Sequence, residues 1–387
     1  MQNRLSHVTL RWVNSFDEFA ALRPAWNALV ERSARRSVFL RHEWFDAAWQ
    51  WQGASSEIRL LCAYAGDVLM GVLPLVLQRV RAGASTIRTL SFLTVPDTQL
   101  CDAIIAADAR DTAPSALAEG LWAARAEWDV LRLAYLPTES VAAGPLLAVL
   151  EKKGLRTITA DATGNPFVPL DTSWDAYYAT RTRSLKKANN LAANRLKKAG
   201  EVKIERIAPG SAEETERFLA TCIAISARSW KTRTGNSLDN PGPQAFIRRL
   251  SQLAREQGWL SVWLLSLDGV PFAMEYQLVA DGDVFALRSD FDASRDDISP
   301  GSYLSRVLLE QLFSECKGRY YMGPGENAYK YRWTEQVAPM FQMTVYGSSL
   351  TGRLMAGWEL ALKPMARRVR ERLRPAPAPE QPAPVAE

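Results

Sequence analysis

The chain has 387 residues, 47% apolar and 23% charged, with 47 basic against 42 acidic side chains and a net charge of +5. That supplies a proper core and, from length, suggests two domains or one large composite. The charge is too mild to indicate a nucleic-acid binder by itself, although it suits anionic small ligands. Two histidines (His7 and His42) argue against a histidine-built zinc site or a Ser-His-Asp triad. Cys62, Cys101, Cys222 and Cys316 lie scattered in apolar patterns, so they are expected reduced and buried, as in the cytoplasm. The N-terminal stretch lacks the apolar core of a signal peptide, and no 18-residue apolar run offers a membrane span.

Ser15-Phe16-Asp17-Glu18 has capping-box spacing, and Phe19, Leu22, Trp26 and Leu29 follow at helical intervals. Residues 58–78 read as two strands around a Gly66-Asp67 turn, and "STIRTLSFL" after Gly83 as a third. The pattern then predicts a helix over 114–125 and a strand over 128–137. The second half repeats this order. Helices are expected over 216–230 and 244–258. The stretch 259–291 has Asp-Gly at both its turns and reads as a three-stranded meander. A helix over 302–316, with Leu304, Val307, Leu308 and Leu312 inward, leads to a strand at 319–322. "CAYAGDVLMGVLPLVL" and "LLSLDGVPFAMEYQLV" share one strand–turn–Gly–strand plan, which suggests two related halves.

Between them, 181–200 carries seven basic residues and no acidic one. As a helix over 184–198 it places Leu185, Ala188, Leu191 or Ala192, and Leu196 along one side. Its cations read first as a solvated face, otherwise as a landing site for an anionic glycan, a lipid head group, coenzyme phosphates or tRNA. The C-terminal stretch 352–374 has Leu354, Trp358 and Leu362 at spacings of four. It ends with five cations and one acid in eight residues, a pattern that can rest on an anionic membrane surface. The Pro/Ala-rich tail 375–387 is expected to be disordered.

Two stretches can carry chemistry. Ser299-Pro300-Gly301 is a good helix start, with a capping hydroxyl, proline at the first position and no side chain at Gly301. Its free N–H groups and dipole suit a pyrophosphate. "GPGENAYKYRW" (323–333) ends a strand with permissive glycines and then crowds acid, base and aromatic side chains. In "PFAMEYQLV", Glu275 and Gln277 share a face, away from Phe272, Met274 and Tyr276.

The order helix, helix, meander, glycine-bearing turn, helix, strand is similar to the GNAT acyltransferase fold. Ser229-Trp230-Lys231 with Gly235, "LDGVPFA" (267–273), "DFD…SPG" (Asp290 to Gly301) and "YKYRW" (329–333) resemble the CelD/BcsL-type (BioF2-like) acetyltransferases. Those are linked to cellulose and exopolysaccharide biosynthesis and distantly related to the FemABX peptidyltransferases. The resemblance covers roughly 15–350. The usual GNAT signature, Gln/Arg-x-x-Gly-x-Gly/Ala, is absent, with Ser299-Pro300-Gly301 in its place.

The resemblance implies an α/β (α+β) chain of two tandem GNAT-like halves, each a mixed, mostly antiparallel sheet flanked by helices. Residues 1–160 form a degenerate first half and 161–350 the half with the acyl-CoA site. A basic helix follows at 351–374, then the tail at 375–387. The cofactor is expected in the second half alone, as acetyl-CoA or another acyl-CoA, without metal. Ser299, Gly301, Ser302, Tyr303 and Arg295 are expected to hold it. Glu326 or Glu275 would serve as base and Tyr329 as proton donor to the thiolate. Lys330 and Arg332 would bind a phosphate or carboxylate, or anchor the loop. Trp230, Lys231, Asp292 and Arg332 would border the acceptor.

The expected activity is transfer of an acyl group, acetyl first, to an amine or hydroxyl of a sugar or a polysaccharide or cell-envelope precursor. No DNA partner is expected. The expected location is cytoplasmic, with peripheral membrane contact through the basic C-terminal helix. One alternative is a FemABX-like aminoacyltransferase using charged tRNA; another is a binding or scaffold protein that has lost the chemistry.

Overall fold

A computed structural model describes residues 8–82, 85–315 and 318–362. His7, Cys316, residues 363–374 of the expected basic helix and the whole 375–387 tail lie outside the described residues.

The first half opens with β1 (Val8–Val13). Ser15 caps α1 (Phe16–Ala21), its hydroxyl accepting from Glu18 N at 3.3 Å. The helix expected to continue through Leu29 breaks at Leu22 and restarts as α2 (Arg23–Arg32), because Pro24 has no N–H to extend the ladder. Next come α3 (His42–Gln52), β2 (Glu57–Ile58), β3 (Leu60–Ala65), β4 (Val68–Leu73), β5 (Leu75–Ala82), β6 (Ser85–Phe92) and β7 (Ile104–Ile105). Then follow α4 (Ala113–Ala123), β8 (Val130–Pro137), α5 (Leu147–Lys152) and β9 (Arg156–Pro169).

The second half begins with α6 (Trp174–Ala179) and the basic helix α7 (Arg183–Ala199), capped by Thr182. Leu185, Asn189, Ala192 and Leu196 form the buried face of α7, while Leu191 is exposed. After β10 (Val202–Ile207) comes α8 (Ala212–Ser226), which starts earlier than the sequence suggests because Ser211 and Glu214 form a full capping box. Then follow α9 (Pro241–Glu256), β11 (Leu260–Leu267), β12 (Val270–Ala280) and β13 (Asp283–Phe291). The chain continues through α10 (Pro300–Glu315), β14 (Arg319–Tyr321), α11 (Ala328–Tyr331), β15 (Val337–Tyr346) and α12 (Leu350–Gly357), with a π-helical turn, Trp358–Leu362, after it.

The strands form two sheets. One is four-stranded and antiparallel, in the order β1-β3-β4-β7; the other runs β10-β11-β12-β13-β14-β9-β15-β8-β6-β5-β2. The meander β11-β12-β13 is antiparallel, as expected. The repeated hairpin plan diverges at one residue. β12 runs unbroken, whereas Pro74 separates β4 from β5 and sends them to different sheets. Each half contributes one parallel pair, β6 with β8 and β13 with β14.

Two strands absent from the sequence-level expectations stitch the large sheet together. β9 pairs with β14 at its end and with β15 along most of its length, while β15 also pairs with β8. The halves share a core as well. Phe39 meets Phe285 edge-on at 5.1 Å, and Trp44 of α3 meets Phe246 of α9 at 5.4 Å. Cys62, Cys101 and Cys222 are free and buried, and His42 is buried against Phe19.

Candidate active site

A gap in the sheet creates the site. β13 and β14 pair only at Val284–Tyr320 and Phe285–Tyr321, after which β13 runs on to Phe291 paired with β12 but not with β14. Gly323 (φ 80°) and Gly325 (φ 124°) turn the chain away from β14, and both angles favour glycine. The opened wedge is a cavity of about 530 Å³. β13 and β12 form one wall, the start of α10 another, and α11 with its preceding loop a third. α7, the turn Trp230–Thr234 and the loop around Asp97 complete it.

The floor carries a saturated carboxylate. Glu275, 3% exposed, accepts from Gln277 Nε2 and Tyr320 Oη through Oε1 and from Ser289 Oγ through Oε2, each at 2.7 Å. Trp263 Nε1 in turn donates to Gln277 at 3.0 Å. Burial pushes the Glu275 carboxyl above its ordinary value, against these donors and the pull of Lys231. Tyr320 is raised too, by burial first and then by Glu275.

Two lysines and a tyrosine face the same space. Lys231 Nζ lies 2.5 Å from Asp290 Oδ1. Lys330 is 4% exposed and donates to Gly323 O (2.7 Å) and Pro324 O (3.1 Å), so it clamps the turn that holds the wedge open. Burial, with Lys231 adding repulsion, lowers the Lys330 ammonium to about 8. Tyr329 has an exposed ring edge at the mouth. Burial of its hydroxyl, and then the charges of Glu275 and Asp290, raise it well above a free phenol, so it keeps its proton at neutral pH.

The first half enters the site through polar contacts. Arg288 of β13, 1% exposed, donates from Nε to Asp97 Oδ2 at 2.9 Å. It also reaches Asn236 O at 2.6 Å and Asn236 Oδ1 at 3.1 Å. Gln99 donates to Ala286 O at 2.7 Å and accepts from Asn165 at 2.9 Å, filling the narrow end of the wedge. The cofactor was expected in the second half alone; Pro96, Asp97 and Gln99 of the first half line the cavity as well.

Eight of the residues singled out from sequence line the cavity: Glu275, Tyr329, Lys330, Gly301, Ser302, Trp230, Lys231 and Arg332. Five lie outside its lining. Glu326 is exposed on the loop. Asp292 faces another task, capping the turn Ala293–Ile298 through Ser294 and pairing with Arg228 at 3.0 Å. Arg295 is exposed within that turn, and Tyr303 packs into the second hydrophobic cluster. Ser299 is left-handed (φ 53°, ψ 54°) rather than extended, so its hydroxyl does not cap α10 as the sequence suggested. Asp97, Gln99, Asn189, Asn236, Arg288, Ser289, Asp290 and Tyr320 were not singled out. Asp290, Ser289, Asn236 and Tyr320 sat in or beside motifs that could have flagged them.

Residues 183–331 match the family model described as an acetyltransferase (GNAT) domain, a segment running from the first residue of α7 to the last of α11. FemX has a similar solved structure (13% identity, 88% of this chain and 98% of that chain, TM-score 0.55). The fold is GNAT. The C-terminal DUF2156 domain of an Agrobacterium fabrum protein named as a lysylphosphatidylglycerol synthetase is also similar (13%, 87% and 95%, TM-score 0.51). So is a Bacteroides thetaiotaomicron protein of unknown function (12%, 87% and 100%, TM-score 0.51). At these identities the likeness is one of fold. No curated protein matches the chain. Among the described residues, no cluster of His, Cys, Asp and Glu could hold a metal ion, and no helix is long and apolar enough to cross a membrane.

Proposed function

We propose that the chain is an acyl-CoA-dependent acyltransferase, acetyl transfer first, acting on a sugar or a polysaccharide or cell-envelope precursor. One observation carries the reading: within the GNAT-matched segment, the wedge between β13 and β14 joins a bare helix N-terminus to a buried cluster of acids, lysines and a protonated tyrosine. The walls fit an acyl-CoA. Pro300 brings no N–H and Gly301 no side chain. A Cβ at Gly301 would meet only Phe291 ring carbons at 3.7 Å, so the space beyond is open. The first-turn N–H groups of α10 are free of helical partners and suit a pyrophosphate.

The thioester, when bound, supplies an activated acyl carbon. Tyr329 is placed to give a proton to the leaving thiolate. Lys330 fixes the loop, and Lys231 and Arg332 supply positive charge at the mouth. Glu275 organises Tyr320, Ser289 and Gln277, whose side chains all donate to it. Contact with an anionic membrane surface belongs to the same reading. Leu350, Leu354 and Trp358 form an exposed i, i+4, i+8 stripe on α12 and the turn after it, just before the basic stretch of sequence.

The test is thermal stability with acetyl-CoA, longer acyl-CoAs, free CoA and bulk tRNA, since specific binding raises the melting temperature. Stabilisation by an acyl-CoA, lost in Gly301→Leu, supports the reading. A response to tRNA alone replaces it with aminoacyl transfer, and no response to any leaves a non-catalytic scaffold.

A further inference from the structure

Two polar groups in the cavity wall lack partners. Asp290 is 2% exposed, and neither of its carboxylate oxygens accepts a hydrogen bond. Lys231 Nζ balances its charge from 2.5 Å but lies off the line that a hydrogen bond needs. Asn189 of α7 is fully buried. Its amide nitrogen donates to Tyr178 Oη at 3.2 Å, and its Oδ1 has no donor. Both residues line the wedge. A buried acceptor without a donor is costly, and a ligand donating to it would recover that cost. Glu275, by contrast, already accepts three hydrogen bonds.

The charges say what kind of donor fits. Asp290 already faces the Lys231 ammonium, and Lys231 also faces Lys330. An incoming ammonium would meet two cations, whereas a hydroxyl brings a donor hydrogen and no charge. Two separate orphaned acceptors call for at least two hydroxyls.

We propose that the acceptor is a neutral, polyhydroxylated molecule of the sugar class, that the reaction is O-acylation, and that Asp290 is its general base. The inference rests on the acyltransferase reading above. One hydroxyl donates to Asp290 and a second to Asn189 Oδ1. The first oxygen attacks the thioester carbonyl and forms the ester C–O bond. Its proton passes to Asp290, the C–S bond breaks, and the sulfur takes the Tyr329 proton. Asp290 then returns its proton to the Tyr329 phenolate, so the cycle closes. The charged and titratable groups around Asp290 are Lys231 on its turn, Glu275 on β12, Tyr329 on α11 and Cys222 on α8. Lys231 is a positioning residue.

The experiment incubates the full chain with acetyl-CoA and a panel of neutral sugars and amino sugars. It follows CoA release and treats the product, freed of acetyl-CoA, with alkaline hydroxylamine, which cleaves esters and spares amides. An ester product is expected. Asp290→Asn is expected to lose about 100-fold or more in kcat while acetyl-CoA still stabilises the protein, and Asn189→Leu to raise KM for the sugar about tenfold. If Asp290→Asn does not fold, the ester or amide outcome and the Asn189→Leu change in KM carry the test. An amide product, an Asp290→Asn kcat within a few-fold of wild type, or an unchanged sugar KM in Asn189→Leu overturns the proposal. So does acetyl-CoA binding with no ester from any sugar, which leaves the acyltransferase reading standing. Failure of every acyl-CoA to stabilise the protein brings down both.

Discussion

Replacing Arg288 with methionine isolates the contact that ties the two halves together at the wedge. The guanidinium is fully buried, touches Asp97 at 2.7–2.9 Å and serves both Asn236 oxygens. Methionine fills much of the volume but leaves the Asp97 carboxylate, 8% exposed, without its cation. Breaking a buried pair from one side costs about 3–5 kcal/mol. Asp97→Leu strands the guanidinium instead and costs a similar amount. The double variant removes both charges and leaves only the Asn236 oxygens unpaired, at about 1–3 kcal/mol. Independent sites would sum to about 6–10 kcal/mol, so the double variant should be several kcal/mol better than additive. Unfolding in urea followed by tryptophan fluorescence, with 13 tryptophans as reporters, measures all three. With an unfolding entropy near 2.1 cal/mol/K per residue, the single losses correspond to about 4–6 °C in Tm. Additivity within about 0.5 kcal/mol, or a single loss below about 1 kcal/mol, would refute this account of the pair.

Gly301→Ala should leave Tm unchanged or slightly raised, because its Cβ meets only ordinary contacts, while weakening acyl-CoA affinity about tenfold or more in a titration. Glu275→Gln should flatten a pH dependence. The folded-state pKa of Glu275 is raised, so its contribution is present below the ordinary value of 4.5 and fades as pH rises through the shifted value. The stability difference between variant and wild type, measured by urea unfolding from pH 4 upward, should therefore move in favour of the variant; a constant difference would contradict it. Lys330→Met should show the mirror behaviour at alkaline pH. The wild-type ammonium is depressed to about 8 from 10.5, so the wild type gains on the variant by up to about 3 kcal/mol as pH rises across that interval.

Much of the scaffold was legible because its signals are local. The cap at Ser15, Asp-Gly turns in the meander and the apolar face of α7 each lie within a few residues of what they control. β9 and β15 gave no such signal. β9 mixes Gly164, Asn165 and Pro166 into a 14-residue strand whose order comes from partners on both sides. The site divides in the same way. Gly301, Lys231 and Lys330 stand in composition-rich turns, whereas Arg288 looks like any outward residue of an alternating strand until Asp97 arrives from 191 positions away. Ser299 shows the opposite failure: a good local cap in sequence was overruled by the turn that feeds it.

The position of β15 has a consequence for synthesis. A ribosome delivers both flanking strands, β8 and β9, long before Val337–Tyr346 exists to lie between them. Until then the nascent chain carries two facing strand edges with unpaired backbone groups, and release before Tyr346 would leave them so permanently. Such edges are templates for pairing with other chains. A nonsense truncation just upstream of residue 337, after Tyr331, is therefore expected to fail by aggregation, even though the segment matched to the GNAT domain would be complete.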